Sequence, residues 1–171
     1  QLLPWLMTMV VLMACSGFFS ASEAALFYIQ ARDRRHLRNG THAEQAVAAL
    51  LSNPDRLLSA VLFWNLVINI AYFSIASICA IRIEESSDLG QASAISFAAI
   101  SLLSIIFFSE MLPKSVAVLK PRDLATLVSM PLTFAVRVVD PLIPLLRSVN
   151  LISRRLIWPS FKTEPFMEVS D

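Results

Sequence analysis

Ser16, Ser20 and Glu23 are spaced four and three residues apart, so a helix carries all three on one face. Asn65 and Asn69 repeat the four-residue spacing further along the chain. A third group reads SEMLPK at Ser109 to Lys114. Pro113 has no N–H to offer the carbonyl four residues back, that of Ser109, which frees an oxygen one residue from the Glu110 carboxylate. Hydroxyls, amide oxygens, carboxylates and freed carbonyls make an all-oxygen donor set. Such a set suits magnesium or calcium, and sodium as well, but not zinc or copper, which favour imidazole and thiolate. His36 and His42 lie apart in a basic loop and read as surface residues.

Each group has a plainer reading. Serines let membrane helices pack closely, and paired asparagines hydrogen-bond across helices. Glu23 can snorkel or pair with Arg32 or Arg34, and Glu110 can pair with Lys114 four residues on. What lifts the groups above these readings is their setting, because all three fall in or beside long apolar runs. Helix-centre charges cost about 2.5–3.5 kcal/mol on insertion scales, so polar clusters there point to function.

The elements that must position these groups are membrane spans. Hydrophobic residues make up 56% of the 171 positions and charged residues 16%, against about 45–50% and 25% in an average soluble domain. A bilayer core of about 30 Å takes about 20 apolar helical residues. Leu2 to Ile29, Leu57 to Ile81 and Ala92 to Phe108 are runs of this kind, the last continuing past Glu110 if that charge is accommodated. The first run is too long for a signal peptide and lacks a basic segment before it. The expected fold is an all-α integral membrane domain over 1–158, with spans at about 2–31, 56–82 and 91–120. Short cytoplasmic helices and a proline-kinked juxtamembrane helix at about 124–157 complete it. Residues 159–171 read as the start of a cytoplasmic region.

That last apolar region carries Pro131, Arg137, Asp140, Pro141 and Pro144. Arg137 and Asp140, three apart, are placed to pair on one face. An interfacial helix wrapping the bundle and a fourth span both fit the region, since neighbouring helices can repair proline breaks. Ala43 to Leu51 reads as a short helix, and Asp55 or Asn53 caps the second span. Cys15 and Cys79 sit inside apolar runs and read as lipid- or core-facing thiols, not a disulfide. Basic residues stay on the cytoplasmic side. Arg32, Arg34, Arg35 and Arg38 in the first loop, then Lys114, Lys120 and Arg122, place the N-terminus outside and the C-terminus inside. The missing initial methionine and the stop after a charged stretch suggest trimmed ends.

SGFFSASEAA at Ser16 to Ala25, NPDRLLS at Asn53 to Ser59, NLVIN at Asn65 to Asn69 and FSEMLPK at Phe108 to Lys114 together resemble the membrane domain of the CNNM/CorC magnesium transporters. The resemblance covers the chain to about residue 150. It implies a homodimer with three spans per protomer and an inward-facing cavity holding a largely dehydrated magnesium ion. The matching ligand positions are Ser16 or Ser20, Asn65 or Asn69, and Glu110. Trp64 departs from the family, standing where a glycine commonly precedes the first asparagine; its bulk is expected to narrow the cavity beside Asn65. Family members usually carry nucleotide-binding CBS domains after the membrane domain, and this chain stops before any.

The function expected from this reading is magnesium transport by alternating access across the plasma (inner) membrane, in the export direction and coupled to sodium. A magnesium-sensing regulatory or scaffold module is the alternative. Partners are the ion, sodium, lipid and a second copy, with no nucleic acid. Enzymatic chemistry is not expected: intramembrane proteolysis needs a Ser–His pair, paired aspartates or a histidine metal motif, and no histidine lies in a span.

Overall fold

The computed structural model describes residues 2–29, 37–86 and 90–142. Among these, three helices are long and apolar enough to cross a bilayer: Leu3–Phe27, Pro54–Glu85 and Gly90–Leu119. The chain is a membrane-embedded helical protein, because only segments that satisfy their own backbone can stand in hydrocarbon. Helix α1 is Leu3–Phe27, α2 is His42–Leu51, α3 is Pro54–Ser86 and α4 is Gly90–Ile105. A π-helical turn at Ile106–Met111 joins α4 to α5, Leu112–Leu119, and α6 follows at Pro121–Val139 before a 3-10 turn at Asp140–Leu142. Expectations for Arg32, Arg34, Arg35, His36 and everything beyond 142, including the rest of the juxtamembrane helix, lie outside the described residues.

Local chemistry sets the boundaries. Asn53, not Asp55, caps α3: its side-chain oxygen accepts from the Arg56 N–H at 3.4 Å, and Pro54 follows at the first helical position. This start, with continuation to Ser86, makes α3 longer than the expected 56–82. Helix α1 stops at Phe27, short of the expected end near 31, and Ile29 turns into the core. Helix α2 opens on a capping box, with Thr41 and Glu44 satisfying each other's backbone. Gly90 begins α4 at φ +29°, a conformation that glycine adopts without a Cβ penalty.

The outer faces stay apolar and uncovered. Val10, Val11, Leu66, Ile70, Ile100 and Leu103 are each about 60% exposed, as lipid-facing residues are. Cys15 is exposed and Cys79 buried. The larger core cluster lies where α6 packs on α1, α2 and α3. Leu132, Val136 and Val139 of α6 meet Leu26, Val47, Leu57 and Val61 there. A smaller one joins Met9, Tyr72, Cys79 and Ile105. Pro131 sits inside a helix that runs on without a break. Asp140 does not pair with Arg137. It takes both a side-chain Nε and an Nη2 bond from Arg56, 84 residues away, because packing brings the end of α6 onto the first turn of α3. Arg122 likewise reaches Glu44 on α2 at 2.6 Å.

Both links are testable. The Arg56–Asp140 side chains are 41% and 35% exposed, so screening holds their coupling to about 1 kcal/mol or less. A double-mutant cycle with Arg56→Ala and Asp140→Ala, read by unfolding in detergent, is expected to return a coupling of that size; a zero value would show the pair idle. The hydrogen bond from Arg122, then that from the Thr41 backbone, holds the Glu44 carboxyl below its ordinary range. A depressed folded value means that the stabilisation is full above the ordinary carboxylate pKa of about 4.3 and fades as pH falls through the folded value. The melting-temperature gap between wild type and Glu44→Gln is therefore expected to close in acid.

Candidate metal centre

The spans bring the first two polar groups together. Ser16 on α1 is fully buried, and its hydroxyl lies 2.8 Å from Asn65 Oδ1 and 2.9 Å from Asn69 Oδ1 on α3. The four-residue spacing puts both amides on the face of α3 that meets α1. A serine hydroxyl has one hydrogen, so it can serve one of these two oxygens at a time. Three oxygens thus converge with a single proton among them, an arrangement that a cation would relieve. Turning either amide over would instead satisfy the cluster internally.

Trp64, beside Asn65, is held by α6 and α1. Its indole Nε1 donates to the Ala135 carbonyl of α6 at 3.0 Å, and its ring stacks on Phe19 at 6.0 Å. Asn65 and Asn69 both lie within hydrogen-bond distance of Ser16.

The third group contributes backbone. In the π turn, the Leu112 N–H bonds to the Phe107 carbonyl. Leu112 would be the α-helical donor for Phe108, and Pro113, the donor in the wider register, has no N–H. The Phe108 carbonyl is left with neither intrahelical donor, whereas the Ser109 carbonyl, which Pro113 cannot serve, still has the Lys114 N–H in reach of the wider register. A Cβ added at Gly17 would stand 3.4 Å from that Phe108 oxygen and 3.2 Å from Pro113 Cγ. Glycine is what lets α1 approach the wide turn so closely, as small residues do between membrane helices.

Two hydroxyls in this zone are orphaned. Ser20 and Ser109 are fully buried, and neither Oγ has a hydrogen-bond partner among the described residues. Such groups are rare in folded proteins and call for an explanation, an unplaced water or ion among them. Ser22, by contrast, donates to its own helix at Phe18. Sequence reasoning passed over Gly17, the Phe108 carbonyl and the Ser109 hydroxyl. The proline three residues after Glu110 was the available signal, but the π register that moves the free carbonyl has no signature in residue type.

The carboxylates take separate places. Glu23 lies one turn beyond Ser20, half-buried, and pairs with Lys114 of α5 at 3.6 Å. That contact replaces the expected Glu110–Lys114 pair. An open groove of about 430 Å³ runs beside it, lined by Glu23, Ala24, Phe27, Lys114 and Ser115. Glu110 stands on the π turn with its side chain exposed, outside the Ser16–Asn65–Asn69 contact. Among the described residues no cluster of three or more His, Cys, Asp or Glu could hold a metal, so neutral oxygens dominate the buried zone.

The orphan hydroxyls give a discriminating prediction. Removing an unpaired buried hydroxyl is expected to be neutral or stabilising, whereas removing a bonded one costs about 1 kcal/mol. Ser20→Ala and Ser109→Ala are expected to hold or raise the melting temperature in detergent, and Ser16→Ala to lower it. Ser20→Ala or Ser109→Ala melting lower than wild type would mean that these hydroxyls already bond within the fold.

Comparison with known proteins agrees with this architecture. The family model for the cyclin M transmembrane N-terminal domain (CNNM) matches residues 7–170. A UPF0053 inner membrane protein, YfjD of Escherichia coli, is 31% identical over 144 residues, covering 83% of this chain and 32% of the relative. A UPF0053 protein of Haemophilus influenzae is 29% identical over 150 residues, 87% of this chain and 34% of its own. A chloroplastic DUF21 domain-containing protein of Arabidopsis thaliana is 23% identical over 159 residues, 93% of this chain and 24% of its own. The chain thus spans about a third of the length of the first two relatives.

Proposed function

This chain belongs to the cyclin M transmembrane domain family, and from that premise we propose that it carries magnesium ions across a membrane. The observation behind the reading is the convergence of Ser16, Asn65 and Asn69 oxygens between two spans. Orphan hydroxyls at Ser20 and Ser109 and the donorless Phe108 carbonyl add to it. Magnesium takes oxygen ligands in near-octahedral order and gives up water reluctantly, so a dry site must offer several well-placed oxygens at once.

Glu23, Ser20 and Ser16 follow one face of α1 over a rise of about 10 Å. In this reading a hydrated ion enters the groove beside Glu23 and Lys114, sheds water to Ser20 and the π-turn carbonyls, and reaches Ser16, Asn65 and Asn69. Neutral oxygens coordinate but do not neutralise, so Glu110 supplies the balancing charge, reached when the helices rearrange. Export, coupling to sodium, an inner-membrane site with the N-terminus outside, and pairing into a homodimer complete the proposal. Exposed Phe107, Phe108 and Met111 beside Glu110 offer an apolar surface for the second copy. Ion movement and not bond chemistry is the activity proposed.

Magnesium flux into proteoliposomes tests this. A charge-assisted contact is worth about 1.5–3 kcal/mol, so Asn69→Ala and Glu110→Gln are each expected to cut flux about ten- to a hundredfold while insertion is unchanged. A sodium gradient is expected to drive the wild type. Undiminished flux in both variants would refute the site. Magnesium binding without wild-type flux would favour a sensor.

A further inference from the structure

Away from the metal zone, a cleft of about 240 Å³ opens where α2, the first turn of α3 and α6 meet. Its polar lining is Asn53, Arg56, Thr133 and Arg137, over an apolar floor of Leu50 and Val136. Two guanidiniums share this cleft. Arg56 commits Nε and Nη2 to Asp140, which leaves its other terminal nitrogen uncommitted among the described residues. Arg137 is exposed and has no partner among the described residues. Two arginines against one aspartate leave the cleft one positive charge in excess.

The helix that walls the cleft is apolar on two faces. Val128, Leu132, Val136 and Val139 are buried against the bundle, while Leu127, Met130, Phe134 and Val138 form an outer stripe, from 45% to 79% exposed. Thr126, Thr133 and Arg137 recur seven and four residues apart, on the edge between the two faces. Thr133 spends its hydroxyl hydrogen on the Ser129 carbonyl, so the arginines and the Asn53 amide are the donors left to meet a ligand.

We propose that this cleft binds the phosphate of an anionic membrane phospholipid, with the acyl chains lying along the Leu127–Phe134 stripe. Charge complementarity selects an anion, and the arginine fork suits phosphate oxygens. Position selects a lipid. Asn53 to Leu57 is the start of a spanning helix, at headgroup depth, and the uncovered stripe adjoins the same edge. Basic pockets between membrane helices take anionic headgroups on these terms. The bound lipid would tie α6 to α3 at the pair formed by Arg56 and Asp140. The proposal does not depend on magnesium transport.

The purified full chain in detergent tests it through melting temperature. Titrated lipids are phosphatidylglycerol and phosphatidylcholine, with inorganic phosphate as the soluble source. Phosphatidylglycerol is expected to raise the melting temperature in a saturable, salt-sensitive way, and phosphatidylcholine and phosphate to do so far less. Arg137→Gln, whose exposed side chain adds no packing, is expected to melt like wild type without lipid and to need about tenfold more phosphatidylglycerol. Arg137→Lys should recover part of that affinity. Equal effects of the two lipids, or an unaltered midpoint in Arg137→Gln, would overturn the proposal. Phosphate alone matching the lipid would show a free-anion site and overturn it too. If Arg137→Gln fails to fold, the salt dependence of the wild-type titration decides: no weakening between 50 and 500 mM salt, on the order of a full screening change, rules the guanidiniums out.

Discussion

Hydrocarbon offers no water to an unpaired oxygen, and the arrangement of this domain follows from how that deficit is handled. Along most of α1, α3 and α4 the helices satisfy themselves, and serines such as Ser74, Ser77 and Ser96 donate back to the preceding turn. The exceptions gather in one place. Among the described residues Ser20 and Ser109 have no partner, Ser16 is shared between two acceptors, and the π turn leaves the Phe108 carbonyl without an intrahelical donor. Gly17 allows the approach that puts these exceptions on facing helices. An unmet buried polar group costs free energy, so a cluster of them persists where something else completes them.

Helix α6 braces that cluster from outside. Trp64 precedes Asn65 and is held by Ala135, while its ring lies against Phe19 of α1. About two turns below, Arg56 is held by Asp140. The rotation of α3, which decides whether Asn65 and Asn69 face Ser16, is set mainly by its packing on α1 and α4, and α6 adds these two contacts. Arg122 to Glu44 gives α2 the same dependence on α6. A movement of α6 would reach the polar cluster through Trp64, which joins α6 to the turn that carries Asn65.

The carboxylates show a division of labour. Buried donors are neutral, while Glu23 and Glu110 stand at its margins, one paired with Lys114 and one exposed. Keeping formal charge at the edge avoids the desolvation penalty of a fully buried carboxylate.

Residue type and spacing alone determined the three spans, the short helix before the second, the shared faces that carry Ser16 with Ser20 and Asn65 with Asn69, and the family. Each of these is a local property: run length, the i to i+4 rule, and motif order. Register and partnership were not legible. Arg137 and Asp140 stand at pairing distance in sequence, yet Asp140 went to Arg56 because packing outbid proximity. Lys114 chose Glu23 over Glu110, and Asn53 outcompeted Asp55 as a cap. The π turn moved a free carbonyl onto Phe108 because one extra residue was fitted into the helix where Gly17 presses against it. Sequence decides which oxygens enter the membrane; only the tertiary contacts decide which of them are left unpaired, since a hydrogen bond is lost or made by atoms that residues far apart in the chain bring together.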